Sequence, residues 1–380
     1  MTTTHDDATW GAPKALVSGA GFAGLTTAFW MHRLGYQVTI VERGVGLKRG
    51  GTPVDIKDET VGIAERMGIL DAIREKSLPP RATEFTNIDG GTDVRLEPEP
   101  AEAGDPVDEY EIPRDALLDI LFGAVEGKVE MRFNDSITEL TDIPGGVRAS
   151  FRQGPESDFD VVFGCDGNHS NVRKLRFGNE ADFSHFLHNY FTVAIVAETL
   201  IPEDTTRILS IPGRTLMLNS YEDKTDISFL FHSDEKIAYD YRDQQQQKDI
   251  VRGSFAGAGP QFLAFLEKGL SADNFYFDEL SQTKMPHWSD GRVALVGDAG
   301  YCASPAAGMG GSLAIIGATA LYDAFETANG DIDAAFAEYE KTLRPIVEQI
   351  QAMAVNFGLT TFFPETEEAI RARNDMLTGK

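Results

Sequence analysis

The sequence predicts an α/β chain: a Rossmann-like lobe, a parallel sheet with helices, interleaved with a mixed or antiparallel-sheet lobe and followed by C-terminal helices. Three observations carry that expectation. The stretch "ALVSGAGFAGLTTAFWMHRLGYQVTIVER", Ala15–Arg43, reads as strand, glycine turn, helix and strand. Two further strand-and-turn signals recur far downstream, at Asp158–Gly167 and Gly291–Gly300. Between these, segments such as "YFTVAIVAE", "RTLMLNS" and "DISFLFHS" alternate across Phe183–Thr283 in the manner of antiparallel strands.

Each element follows from its own residues. Lys14–Ser18 is a short apolar run, the pattern of a buried strand. Ala23–Leu34 sets Leu25, Ala28, Phe29 and Met31 on a helical period, and Gly35 stops it. Gln37–Arg43 is β-branched and apolar, so a right-handed βαβ unit opens the chain. Pro79–Pro106 turns rich in Pro, Gly, Asp and Glu, with strand-like pieces such as "ATEFTNI". Helical character returns over Pro113–Val125, and the run Gln244–Gln247 fits on a helix. A long helix is expected from about Met309 to Ala328, and helices complete the C-terminal region, the last one short and acidic. No internal repeat and no long linker is visible.

Composition narrows the function. A chain of 380 residues can bury one large core or two ordinary ones. Its net charge of −26 disfavours nucleic acid and anionic membrane as partners, because binding phosphates needs clustered Lys and Arg. Cys165 and Cys302 form neither a disulfide framework nor a metal-ligand spacing, so no metal is expected and both read as small buried residues. The opening "MTTTHDDATWGAPK" lacks the basic-then-apolar pattern of a signal peptide. No run approaches the roughly 20 apolar residues of a membrane span. A cytoplasmic protein, monomeric or weakly homo-oligomeric, is expected.

Three motifs carry chemistry. In Gly19-Ala20-Gly21-Phe22-Ala23-Gly24 the first glycine allows a tight turn, the second lets backbone approach a pyrophosphate, and the third lets helix pack on strand. Glu42, ending the second strand beside Arg43, stands where a carboxylate accepts hydrogen bonds from an adenosine ribose. The pattern implies a dinucleotide without separating NAD from FAD. The second motif, "GCDGNHSNVRK" at Gly164–Lys174, has the form DGxxSxxR through Asp166, Gly167, Ser170 and Arg173. The third, Gly291–Ala318, offers Gly297-Asp298 at a strand end, a loop at Pro305, then Gly308, Met309 and Gly310 at a helix start. A carboxylate there suits a ribityl hydroxyl, and the helix start suits negative charge on a reduced flavin ring.

In this order the three motifs resemble the FAD-dependent aromatic hydroxylases, the single-component flavoprotein monooxygenases typified by p-hydroxybenzoate hydroxylase. "LKRGGTPVDI" (Leu47–Ile56) and "EIPRDALLDIL" (Glu111–Leu121) look most like the tetracycline-inactivating monooxygenases and related natural-product tailoring enzymes. The resemblance implies FAD as cofactor, with Gly19, Gly21 and Gly24 at its pyrophosphate and Glu42 at its adenosine ribose. It implies that Arg49, Gly50 and Gly51 lie beside the flavin ring and that Arg114 reaches the cofactor's central linker. Asp298 matches the carboxylate on the ribityl chain, Pro305, Gly308 and Gly310 the loop over the flavin, and Asp166 a residue linked to both FAD and NADPH use.

The same resemblance implies an FAD-binding domain over 10–75, 105–180 and 284–345, a substrate domain over 76–104 and 181–283, and a C-terminal helical segment, 346–380. No second GxGxxG is visible, which matches a transient NADPH or NADH electron donor. The implied reaction is oxygenation of an aromatic or polyketide-like substrate by O2 through a C4a-hydroperoxyflavin. Two departures keep other chemistries open: Gly300-Tyr301 follows Gly297-Asp298 where Ala-His or Ala-Tyr is usual, and Met309 replaces a common glutamine. An FAD-dependent reductase or dehydrogenase, or a non-redox FAD-containing cyclase, remains an alternative. The flavin carries the chemistry, so no catalytic side chain is assigned. Phe191, Met217, Phe229, Phe231 and His232, with Pro305, are the candidate lining of a substrate pocket. A C-terminal helix closing over that pocket is a further implication.

Overall fold

The computed structural model describes residues 11–98 and 109–379. The acidic opening stretch and the end of the Pro79–Pro106 segment lie outside the described residues. The chain opens with β1 (Lys14–Ser18), α1 (Phe22–Arg33) and β2 (Gln37–Glu42). Then come β3 (Val54–Lys57), α2 (Glu59–Met67), α3 (Leu70–Lys76), β4 (Ala82–Thr86) and β5 (Thr92–Leu96). β6 (Glu109–Ile112), α4 (Arg114–Val125) and β7 (Glu130–Phe133) precede a meander of β8 (Ile137–Ile143), β9 (Gly146–Phe151) and β10 (Ser157–Phe159). β11 (Val161–Gly164) and α5 (Asn171–Arg176) follow.

The middle of the chain holds β12 (Ser184–Val196), β13 (Thr205–Ile211), β14 (Arg214–Tyr221) and β15 (Lys224–His232). α6 (Gln244–Ser254) and α7 (Pro260–Ser271) then lead to β16 (Tyr276–Thr283). β17 (Ser289–Asp290), β18 (Val293–Leu295), α8 (Asp298–Tyr301), α9 (Gly310–Ala328) and α10 (Ile332–Met353) come next. A π turn, Ala354–Gly358, joins α10 to α11 (Leu359–Phe362), and α12 (Glu367–Thr378) ends the chain.

Two sheets organise the molecule. The first runs β17-β18-β11-β1-β2-β7, parallel except for the β17–β18 pair. Strands from three distant stretches meet there, so the three motifs emerge at the same carboxyl edge, where α/β sheets bind ligands. Both faces are covered, and the strands are accordingly apolar along their length: β1, β2 and β11 are almost wholly buried. The core is continuous from α1 through α9 and α10, with Trp30 stacked on Tyr322.

The second sheet, β16-β12-β15-β14-β13-β4-β5, is antiparallel apart from β13 beside β4. Its period of two separates two faces. One carries Tyr190, Leu216, Leu218, Phe229, Phe231 and Phe277 against α6 and α7, forming an aromatic core with Phe255 and Phe262. Phe229 and Phe231 are 1% and 3% exposed in that core, so the strand alternation puts them on the helix-covered face and not on a pocket wall. The β8–β10 meander and the β3–β6 ribbon, both unanticipated, complete the strands. No helix among the described residues is long and apolar enough to cross a membrane.

Candidate functional site

The first motif closes on the second through its glycines. Gly19 has φ +100°, and a Cβ there would sit 2.6 Å from the Cys165 carbonyl oxygen. A Cβ on Gly24 would sit 1.9 Å from the Gly19 carbonyl oxygen, so only glycine lets α1 start so close to β1. Gly21 differs: nothing lies within 4 Å of where its Cβ would be. At Gly50, Gly308 and Gly310, too, nothing lies within 4 Å of the Cβ position. These four glycines lie in the loops that follow β1, β2 and β18, at the carboxyl edge of the first sheet, and nothing in the protein obstructs their Cβ positions.

The residues around these loops hold one another. Glu42 takes the Ala20 N–H on Oε2 at 2.9 Å and the Gly44 N–H on Oε1 at 2.7 Å, while Arg43 is exposed beside it. Phe22 and Ala23, at the start of α1, are buried; the Arg114 guanidinium lies 5.0 Å over the Phe22 ring and donates to the Gly50 carbonyl at 3.0 Å. Gly51, at φ +104°, leaves room for the Arg114 side chain, 2.7 Å from its missing Cβ. Burial lowers the Arg114 pKa, and Asp115, Asp298 and Tyr276 oppose that. Gly297 packs against Ala23 and Gly311 against Phe22, which brings the third motif onto the first.

The two motif aspartates differ in what they hold. Asp166 is spent inside the protein: it accepts from Ser18 Oγ, Ser170 Oγ and the Asn171 and Val172 N–H groups, capping α5. Arg173, 1% exposed, donates to the Ala299 carbonyl at 2.8 Å and ties this motif to α8. Burial raises the Asp298 pKa, with the Cys302 thiol and the Arg114 and Arg173 charges opposing it. The Cys302 thiol itself donates to the Ser281 carbonyl at 3.8 Å, and the Asp298 side chain is half-buried. Pro305, Gly308 and Gly310 are exposed, while Met309 packs partly buried on the first core. Ser304, buried at φ +81°, holds this loop in a conformation costly for a residue with a Cβ.

Arg49 points elsewhere. Its guanidinium makes a two-pronged pair with Asp119 of α4 at 2.6 and 3.0 Å, and both side chains are about half exposed. Its neighbour Lys48, which sequence reasoning missed, lies with its ammonium 5.1 Å over the Tyr276 ring. Desolvation, then the Arg43 and Arg114 charges, lower the Lys48 pKa. Tyr276 donates to Asp278 at 2.6 Å, and His169 sits 3.3 Å from Asp278 and 3.0 Å from Glu180. Those carboxylates push the His169 pKa up to about 10. Nothing in spacing marks this cluster: Tyr276 and Asp278 belong to an ordinary strand pattern, and His169 fills a variable position of its motif.

The other face of the second sheet meets the third motif's loop. Phe191, Met217, Leu230 and Leu280 pack with Ala306 and Ala307 of the flavin-type loop and with Ala354, Leu359, Phe362 and Phe363 from the C-terminal region. His232 ends β15 at the rim, near Asp234 and Glu365 at 3.2 and 3.4 Å. Arg373 anchors α12: it is 4% exposed, donates to Ser210 Oγ at 2.9 Å and lies 4.6 Å over the Phe85 ring. No group of three or more His, Cys, Asp or Glu among the described residues could hold a metal.

The donor set suits a dinucleotide with a flavin ring: unobstructed glycines, a helix start, a half-buried carboxylate and a half-buried arginine. Comparison with known proteins agrees. The family described as FAD binding domain matches residues 13–354. An uncharacterized protein of Mycobacterium tuberculosis is 38% identical over 346 residues, spanning 88% of this chain and 91% of that one. A flavin-dependent monooxygenase of Legionella longbeachae is 33% identical over 347 residues, covering 90% and 88%. The crystal structure of tetracycline destructase Tet(55) superposes with a TM-score of 0.84 at 31% identity, covering 97% of this chain and 95% of that one. The chain belongs to the FAD-binding-domain family, among its flavin-dependent monooxygenases, and is an FAD-dependent oxidoreductase.

Proposed function

We propose that the protein uses NAD(P)H and O2 to insert one oxygen atom into an aromatic or polyketide-like small molecule held between the two sheets. One observation supports this most directly: the apolar wall of Phe191, Met217, Leu230 and Leu280 meets Ala306 and Ala307 of the third motif's loop. A flat, largely apolar ring fits such a wall better than a small polar metabolite.

The chain's own residues divide the work. Gly19, Gly21 and Gly24 with the start of α1 would hold the FAD pyrophosphate. Glu42 would take the adenosine ribose, since a carboxylate accepting two N–H groups keeps spare lone pairs. Arg114 and Asp298 would flank the linker, and the Pro305–Gly310 segment would present N–H groups to the ring. When bound, FAD supplies electron transfer and oxygen activation. Phe362 and Phe363 exclude water from the wall, which matters because water access wastes reducing equivalents as peroxide. Lys48 and Tyr276 stand at the mouth as a cation and a hydrogen-bonded phenol.

The reading is tested by NADPH and NADH oxidation on the FAD-loaded protein with and without tetracycline or a simpler phenolic ring. The expected result is oxidation stimulated by the ring, with less peroxide per NADPH than in its absence. Rates and peroxide yield indifferent to every aromatic or polyketide ring tried would overturn it.

A further inference from the structure

The cleft-facing side of the second sheet changes character along β15. Cross-strand partners share a face, and the register pairs Phe191 with Leu230, Met217 with Ser228 and Asn219 with Asp226. The wall that meets the cofactor loop at Leu230 and Met217 therefore continues, two residues at a time, to Ser228 and then Asp226. Both are buried, at 3% and 0% exposed. Both also hold an unpartnered atom: Ser228 Oγ and Asp226 Oδ2 lack any hydrogen-bond partner.

A third such atom lies nearby. Arg81 donates through Nη2 to Glu111 of the β3–β6 ribbon, but its buried Nη1 has no partner. Its guanidinium lies 5.6 Å over the Tyr221 ring, and Tyr221 donates to Asp226 Oδ1 at 2.9 Å. Buried polar atoms are almost always paired, so three orphans at one end of an apolar wall mark a place for something the protein does not itself supply. Each costs stability while unpaired. The ribbon beside them is fastened to the cofactor side, because Ser312 of α9 donates to the Asp55 carbonyl at 2.9 Å.

We propose that Asp226 and Ser228 form the polar end of the substrate site and take a hydroxyl-bearing aromatic ring, whose O–H donates to Asp226 Oδ2 while its apolar body lies along Met217, Leu230 and Phe191. This deepens the oxygenase reading and rests on it for the identity of the cleft. An acceptor carboxylate selects a phenol or enol over its ether, since the ether leaves the buried oxygen unpaired. Ser228 Oγ serves the same oxygen or its neighbour on the ring. Arg81, Glu111, Tyr221 and Lys224 are the charged and titratable groups around Asp226, with Asp55 behind Arg81. Burial holds the Asp226 carboxyl up to about 7, so its accepting strength changes within the working pH range.

The test is a titration of the FAD-loaded protein with naphthol and with naphthyl methyl ether, read by calorimetry and by the bound flavin's absorbance. The wild type is expected to hold naphthol about 10- to 100-fold more tightly than the ether, the scale of one hydrogen bond to a buried charged group. That preference grows as pH rises through about 7, where the carboxylate forms. Asp226→Asn is expected to flatten the pH dependence and narrow the preference to about threefold or less; Ser228→Ala narrows it partly. A melting temperature for Asp226→Asn at or above the wild type's shows that the fold is intact. Equal affinity for the two rings, a preference untouched by Asp226→Asn, or no binding of either at millimolar concentration would each overturn the proposal. Selective naphthol binding without oxygen transfer under NADPH and O2 would sink the oxygenase reading and leave this site standing; oxygen transfer without selectivity would do the reverse.

Discussion

Gly21 and Gly24 sit three residues apart and have opposite reasons to be glycine. Gly24 is needed by the protein, because a Cβ would collide with the Gly19 carbonyl. Nothing in the protein lies within 4 Å of the missing Cβ of Gly21, so the proposed pyrophosphate contact is what would require glycine there. Gly24→Ala should therefore lower both the melting temperature and FAD retention. Gly21→Ala should leave melting of the FAD-free protein unchanged yet weaken FAD roughly tenfold or more, the scale of one lost hydrogen bond to a charged group. Melting curves and FAD fluorescence titrations on the two variants check this.

Asp226 makes a prediction of a different kind at the same scale. Its carboxyl titrates at 3.8 when unfolded and at about 7 when folded. The folded state holds the proton more tightly, so this group's contribution to stability falls as pH rises from about 4 to about 7 and stays low above that. Asp226→Asn removes the dependence. The variant should match the wild type near pH 4 and melt higher above pH 7, as measured by thermal scans across that window. His169 runs in the conventional sense: with its folded value raised to about 10, it stabilises below pH 6.5 and loses that contribution as pH climbs toward 10.

At the scale of elements, legibility followed how local the signal is. The βαβ unit, the helix at Gly310–Ala328, the helix beginning at Gln244 and the strand at Ala82–Thr86 all follow from runs of residues that declare their own period. The sidedness of β15 was not readable. Phe229, Leu230 and Phe231 are equally apolar, and only the helices α6 and α7, placed by later sequence, decide that Phe229 and Phe231 face away from the cleft. The polar cluster of His169, Tyr276 and Asp278 was hidden for a similar reason: His169 lies more than 100 residues from the other two and meets them only in the folded chain.

The C-terminal helix α12 is held chiefly by one side chain. Arg373→Ala would leave Ser210 Oγ and the Thr361 carbonyl without their donor and open a cavity beside Phe85, a cost of about 2–4 kcal/mol. That loss is local. Limited proteolysis should cut faster between Phe363 and Glu367, while the melting of the first sheet and FAD retention stay near wild type. Uniform destabilisation without a preferred cut would contradict the assignment of Arg373 as the anchor of this helix.

At the scale of the molecule, the three motifs converge because β1, β11 and β18 are neighbours in one parallel sheet, although about 280 residues separate the first strand from the last. The second sheet packs on the loop that follows that edge, Leu230 and Leu280 meeting Ala306 and Ala307, and the proposed reaction takes place in an enclosure between the two. The role proposed for this enclosure is to direct oxygen from O2 into a ring. The most direct measurement is turnover of tetracycline or another hydroxylated polycyclic ring by the FAD-loaded protein under NADPH and isotopically labelled O2, followed by mass spectrometry of the product. The account predicts one labelled oxygen atom in the product and little peroxide. A product altered in hydrogen content but free of label, or peroxide alone whatever the ring supplied, would contradict it.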